Sequence, residues 1–246
     1  MPRVPEMTVK RVGHKGADLL APGNTLASFD AALAAGVDMI EFDVLPDLGA
    51  DGRPDTARGR LLLAHDYSDL GGEPALGLGD GLAHLAGAEF DAIDLDVDLK
   101  IPGYELRVVD ALRSHGLVER TLVSSTYPQS LARIRAYEPR LRLGLSLPRA
   151  HRDYTAHALA KIPAYAILQL MRQTVPGRAA TELRARRCDA VMAYWRLVTP
   201  RLVDAVHRAE GELYAWTVDD APTIARLSAM GVTGVITNDP RLFVTA

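Results

Sequence analysis

The sequence predicts an α/β protein of the (β/α)8 TIM-barrel class, and three observations carry that prediction. Eight short runs rich in Val, Ile and Leu, at 8–12, 39–45, 94–99, 121–125, 143–147, 190–193, 213–218 and 234–237, have strand length and are bounded by Gly, Asp or Pro. Stretches of helical length separate most of them, which is the alternation of a parallel sheet. The chain has 246 residues, and one such barrel takes about 250, so a single domain over residues 1–246 is expected. No Gly-rich phosphate fingerprint is present, which disfavours an open doubly wound sheet.

Taken in order, the first run ends at Gly13-His14, and an amphipathic stretch at 25–35 follows it. The second run holds Ile40-Glu41-Phe42-Asp43-Val44. Two polar, Gly-rich stretches, 46–60 and 67–90, then interrupt the alternation. Large polar loops at one end of a barrel are where function concentrates. Thr199-Pro200 is an N-cap followed by a first-turn proline and opens a helix over 201–209. Gly36, Gly116, Gly211 and Gly231 each fall just past a helical run, where a left-handed C-cap is expected. Residues 164–170 form a ninth apolar run that fits either an extra strand or a buried helix.

Composition narrows the function. Hydrophobic residues make up 48% and charged residues 24%, an ordinary globular balance. A net charge of −3 argues against a chain that holds nucleic acid by bulk charge. A small phosphate-bearing substrate needs only a local positive site. Cys188 is the single cysteine, so no intrachain disulfide forms. No window approaches 18 apolar residues, so no stable membrane insertion is expected. The opening Met1-Pro2-Arg3-Val4-Pro5-Glu6 lacks the apolar core of a signal peptide, and the first site candidate comes early, at His14. A cytoplasmic location is the default expectation. Oligomeric state is open.

Two strands carry the chemistry. Residues two apart in a strand share a face, so Glu41 and Asp43 project together near the end of the second strand. Two carboxylates this close repel unless one is protonated or a cation bridges them. A hard divalent ion, Mg²⁺ or Ca²⁺, suits such oxygen ligands. Asp94, Asp96, Asp98 and Lys100 alternate with Leu95, Val97 and Leu99. In a barrel the outer face packs on helices, so the charged face points inward, where unpaired charge is costly. Asp98 is a candidate third ligand. Lys100 is placed to meet a phosphate or to balance the carboxylates. His14 and His65 follow apolar runs, and imidazole is the usual proton carrier near neutral pH. The other histidines, His84, His115, His151, His157 and His207, fall in helical or loop contexts.

These residues resemble the glycerophosphodiester phosphodiesterase family. The resemblance is carried by His14-Lys15-Gly16, Pro22-Gly23-Asn24-Thr25, Ile40-Glu41-Phe42-Asp43-Val44, His65-Asp66, Asp98-Leu99-Lys100, Trp216-Thr217-Val218-Asp219 and Thr237-Asn238-Asp239-Pro240. It implies a TIM barrel with His14 and His65 as the acid/base pair. It implies Glu41, Asp43 and Asp98 as ligands of Mg²⁺ or Ca²⁺, Lys15 and Lys100 as phosphate contacts, and Trp216 near the alcohol part of the substrate. The chain departs from the family at four points. Lys15 stands for arginine, Gly23 for a glutamate, and Asp98 for a glutamate. The cap usually inserted between His65 and Asp98, here 33 positions apart, is shortened. Asp96 or Asp94 is a candidate replacement for the carboxylate missing at Gly23. The short cap and the Asp-x-Lys strand are similar to the phospholipase D branch of recluse-spider venoms, which releases a cyclic phosphate. Asn24-Thr25 and Trp216-Thr217-Val218 are those of the glycerophosphodiester branch.

The expected activity is hydrolysis of a small phosphodiester to glycerol 3-phosphate and an alcohol, a step of lipid metabolism. The alternatives are a lysophospholipase D-like phosphodiesterase forming a cyclic phosphate, another metal-dependent barrel enzyme such as an aldolase, and a non-catalytic barrel that binds phosphate compounds.

Overall fold

The structure is a computed structural model that describes residues 9–68, 75–148 and 161–245. Strands β1 (Lys10–Gly13), β2 (Met39–Pro46), β4 (Asp94–Leu99), β5 (Thr121–Ser125), β6 (Arg142–Leu147), β7 (Ala190–Tyr194), β8 (Glu212–Trp216) and β9 (Gly234–Thr237) are parallel, and pairing of β1 with β2 closes them into a barrel. Helices α1 (Leu26–Ala34), α2 (Leu78–Leu85), α3 (Glu105–Ser114), α4 (Pro128–Tyr137), α5 (Lys161–Arg184), α6 (Pro200–His207) and α7 (Ala221–Ala229) surround it. A 3₁₀ segment, Pro240–Thr245, follows β9.

All eight expected runs are strands, with ends shifted by up to two residues. The run Leu61–Leu63 is a further strand, β3, which pairs antiparallel with the end of β2. It is too short to show a periodicity of its own. Residues 164–170 lie within α5, which resolves the ninth run as helix. Tyr165, Ile167 and Leu170 are exposed there, so the expectation of a buried segment is corrected. Among the described residues, no helix is long and apolar enough to cross a membrane. His151 and His157 lie outside the described residues.

The helix signals have local causes. Thr25 and Thr199 accept from the Ser28 and Leu202 amides, each at 3.2 Å, and cap α1 and α6. Gly36, Gly116 and Gly231 take the left-handed conformation expected of them. Gly211 does not: Glu210 adopts it instead, at φ +56°. Gly211 is required for space, since a Cβ there would lie 2.5 Å from Leu183 Cδ2.

The outer faces of β2 and β4 (Ile40, Phe42, Val44, Leu95, Val97, Leu99) pack against the helices in one apolar core. The inner faces are layered. A small apolar cluster of Val12, Met39, Leu122, Ala190, Met192, Tyr214 and Ile236 fills the middle of the barrel. Below it, at the strand N-termini, Lys10 pairs with Asp94 at 2.6 Å, and Arg142 pairs with Glu212 and reaches Asp94 at 3.8 Å. Above it, toward the strand C-termini, lie the remaining carboxylates.

Candidate active site

The strand C-termini surround an open cavity of about 460 Å³ that His14, Lys15, Glu41, His65, Asp98, Lys100 and Trp216 line. Active sites of this architecture sit at that face. Seven of the eight residues singled out from the sequence therefore line one cavity, and the eighth, Asp43, is fully buried beside them.

Strand register sets the carboxylates in two ranks. Glu41 stands opposite Asp96, and Asp43 stands opposite Asp98. One oxygen from each of Glu41, Asp43 and Asp98 lies within 4.8 Å of the others. Asp96 is nearly fully buried in the same cavity wall. Asp94, the other candidate replacement for the carboxylate absent at Gly23, belongs to the opposite end of the barrel and is excluded from the site.

Cations and dipoles hold these groups. Lys100 Nζ lies 2.5 Å from both Asp43 Oδ1 and Asp98 Oδ2. Its backbone is fixed by Tyr104, whose hydroxyl accepts from the Lys100 N–H at 3.0 Å and donates to the Val44 carbonyl at 2.5 Å. Asn24 and Asp43 exchange two hydrogen bonds of 3.0 Å each, side-chain amide to carboxylate and backbone N–H to amide oxygen. Asn24 reaches Asp43 from a left-handed backbone conformation at φ +60°. Glu41 accepts from the Lys15 backbone N–H at 2.9 Å.

The protonation states diverge. Burial raises the Glu41 pKa well above the ordinary carboxylate range, and the Asp43 charge adds to it. Burial also pushes Asp96 up to about 8, with Asp98 adding to it. Burial would raise Asp43 as well, but Lys100, His14, His65 and the Asn24 amide hold it far below its usual value.

His14 sits just past β1 and belongs to a chain of hydrogen bonds that the sequence did not reveal. Asp219 accepts from the Asn238 side-chain amide at 2.7 Å and from the Asn238 backbone N–H at 2.8 Å. The Asn238 Oδ1 therefore faces His14 and takes the Nδ1–H at 2.6 Å. That leaves His14 Nε2 as the lone-pair nitrogen, 3.9 Å from Glu41 Oε2. Desolvation lowers the His14 pKa, so the ring is neutral near pH 7. Asn238 follows β9, which pairs with β1, and Asp219 follows β8, the next strand beyond β9. On the far side, His65 Nδ1 lies 3.4 Å from Asp66, whose carboxylate also accepts from the Ser68 amide at 2.8 Å.

A Cβ on Gly23 would lie 2.6 Å from Asp18 Oδ1. That oxygen accepts the Gly23 N–H at 2.8 Å, and the other Asp18 oxygen is 3.8 Å from Lys15 Nζ. Asp18 thus lies beside Gly23 and Lys15 but does not line the cavity. Trp216 lies at the end of β8 with its ring 5.7 Å from that of Tyr194, forming an aromatic wall beside the cavity.

The oxygen set suits a hard divalent cation: three clustered carboxylates, two of them buried and one strongly disfavoured as an anion. The buried Asp43 Oδ1 has the Lys100 ammonium beside it but no well-aligned hydrogen bond, and Asp96 Oδ1 has none either.

The family model for glycerophosphoryl diester phosphodiesterases matches residues 14–54 and 98–242. The chain belongs to the glycerophosphoryl diester phosphodiesterase family. It is accordingly an enzyme, a phosphodiesterase. Residues 55–97, with His65 and β3, lie between the two matched segments. A glycerophosphodiester phosphodiesterase of Caldanaerobacter subterraneus subsp. tengcongensis is 24% identical over 265 aligned positions, which cover 95% of each chain. Among solved structures, the glycerophosphodiester phosphodiesterase of Parabacteroides distasonis superposes with a TM-score of 0.71 at 17% identity, covering 97% of both chains. An Oleispira antarctica phosphodiesterase, solved with its product sn-glycerol-3-phosphate, superposes with a TM-score of 0.68 at 18% identity, covering 96% of both chains. These two establish likeness of fold.

Proposed function

We propose that the chain hydrolyses small glycerophosphodiesters to glycerol 3-phosphate and an alcohol, by acid/base catalysis between His14 and His65 around a divalent metal held by Glu41, Asp43 and Asp98. The observation that carries this reading is the pairing of a tautomer-locked neutral His14 with a three-carboxylate group inside one cavity. The product seen in the Oleispira antarctica enzyme supports the choice of glycerol 3-phosphate as the half that keeps the phosphorus.

The residues divide the work as follows. When bound, a divalent ion supplies a positive charge for a phosphoryl oxygen and for an attacking oxygen. Lys15, at the cavity wall, adds positive charge beside the phosphate. Lys100 keeps Asp43 and Asp98 together and favours the ionised form of Asp43. His14 Nε2 takes the proton from the attacking water, or from the neighbouring glycerol hydroxyl, in which case a cyclic phosphate forms and a water then opens it to glycerol 3-phosphate; Asn238 and Asp219 hold the resulting imidazolium in place. His65 donates the proton to the leaving alcohol on the opposite side of the phosphorus, so that attack and departure are in line. Trp216 and Tyr194 pack against the apolar part of the alcohol.

Phosphorus NMR of the reaction with glycerophosphocholine and glycerophosphoethanolamine tests this reading. Glycerol 3-phosphate is the expected product, lost on addition of EDTA and in His14→Ala and His65→Ala. Full activity in either variant, or with EDTA present, removes the proposed mechanism. A cyclic phosphate signal that accumulates assigns the chain to the lysophospholipase D-like chemistry instead.

A further inference from the structure

The buried carboxyl of Asp96 has no place in the steps above. It projects from β4 into the cavity wall opposite Glu41 and is 1% exposed. Its Oδ1 has no hydrogen-bond partner, and no ion pair joins Asp96 to a lysine or arginine among the described residues. Lys100 is committed to its neighbours Asp43 and Asp98. Such a group is expensive to bury unless something supplies a donor. The apolar alternative was open to the sequence, because the layer immediately below is made of Met39, Leu122 and Met192. Retaining a carboxyl at this depth therefore calls for a ligand that the protein itself does not provide.

The position of Asp96 decides what kind of ligand. Glu41, Asp43 and Asp98 form a group whose oxygens lie within 4.8 Å of one another, and Asp96 is not part of it. A direct bond to the same ion is thus reserved for the other three. Asp96 lines, together with the polar Ser124 and Ser146, a cavity roomy enough for water, and its orphan oxygen is buried in that wall. Mg²⁺ in particular keeps several of its waters and binds through them to carboxylates beyond the direct ligands. Such outer partners tune metal affinity by about 10- to 100-fold.

We propose that Asp96 is an outer ligand of the metal centre, its Oδ1 accepting a hydrogen bond from a water carried by the cation that Glu41, Asp43 and Asp98 hold. The inference rests on the metal reading above and extends it to a fourth carboxylate. It gives the deep end of the cavity a function: Asp96 would help to retain the hydration of the ion that Glu41, Asp43 and Asp98 would hold.

Isothermal titration calorimetry with MgCl₂ and CaCl₂, combined with thermal unfolding in the absence and presence of each salt, tests it on the full chain. Asp96→Asn keeps shape and removes the ionisable carboxyl, and Asp96→Ser is a smaller second variant should the first fold poorly. Asp43→Asn serves as the direct-ligand control. Expected are a divalent Kd weakened about 10- to 100-fold in the Asp96 variants, a correspondingly smaller metal-induced rise in Tm, and loss of measurable binding in Asp43→Asn. A Kd and Tm rise equal to wild type in both Asp96 variants overturns the inference while leaving the three-carboxylate site intact. Loss as complete as in Asp43→Asn also overturns it, by making Asp96 a direct ligand. Absence of Mg²⁺ and Ca²⁺ binding by the wild-type protein overturns the metal reading itself.

Discussion

The two ends of the barrel interior carry charged clusters built from the same residue types, yet they are balanced differently. At the strand N-termini, Lys10 and Arg142 meet Asp94 and Glu212, charge for charge. At the strand C-termini, among the described residues, Glu41, Asp43, Asp96 and Asp98 have one ammonium group among them, that of Lys100, while Lys15 reaches toward Asp18. A single strand, β4, contributes Asp94 to one end and Asp96 and Asp98 to the other. The balanced end closes the barrel. The unbalanced end is poised to take up positive charge, and that surplus of carboxylate marks the site more clearly than acidity alone.

The largest expected effect comes from the unbalanced end. Glu41→Gln removes a proposed metal ligand and is expected to lower kcat/KM on a glycerophosphodiester by about 10³- to 10⁴-fold, since a bound metal contributes several kcal/mol to the transition state. Circular dichroism of the variant should show the wild-type fold. A loss below tenfold would mean that the carboxylate surplus is not catalytic. His14→Ala should cost about 10²- to 10³-fold, within the range of a general base. Asn238→Ala should cost less, because it leaves the imidazole in place and frees its tautomer; steady-state rates across pH separate the two.

A pH profile sharpens the same point. Burial lowers the His14 pKa below its ordinary 6.5, so the base form persists below that pH. The acid limb of kcat/KM is therefore expected below pH 6.5. Stability follows the same sign: the unfolded chain takes up the His14 proton at higher pH than the folded chain, so its contribution declines as pH falls below 6.5. Urea unfolding of wild type and His14→Ala at pH 5 and pH 7.5 reads that difference.

The smallest effect is expected at the balanced end. Arg142→Met leaves Glu212 without its cation and should destabilise the fold by about 1–2 kcal/mol, an intermediate value because the pair is only part-buried. Its kcat should match wild type. An activity loss exceeding the loss of folded protein would show that the two clusters are coupled through the barrel.

Much of this arrangement is local in the chain. Alternation of aliphatic and charged residues along 94–99 put one face inside the barrel before any tertiary contact was known, because period two and a helix-covered outer face leave no other choice. The Glu41-x-Asp43 pair and the histidines after apolar runs likewise follow from single segments. Other features depend on segments far apart. The Asp219–Asn238–His14 chain exists because β9 pairs with β1, which joins residues more than 200 positions apart. The hairpin strand β3 forms only because the end of β2 offers it an edge.

The sequence alone thus specified which groups carry charge, which face of each strand they share, and the alternation that closes into a barrel, since these depend on covalent order and backbone period. Tertiary structure decided which of those charges cancel. Asp94 and Asp96 are chemically identical and two residues apart, and only barrel closure sets one beside Lys10 and Arg142 and leaves the other buried without a cation.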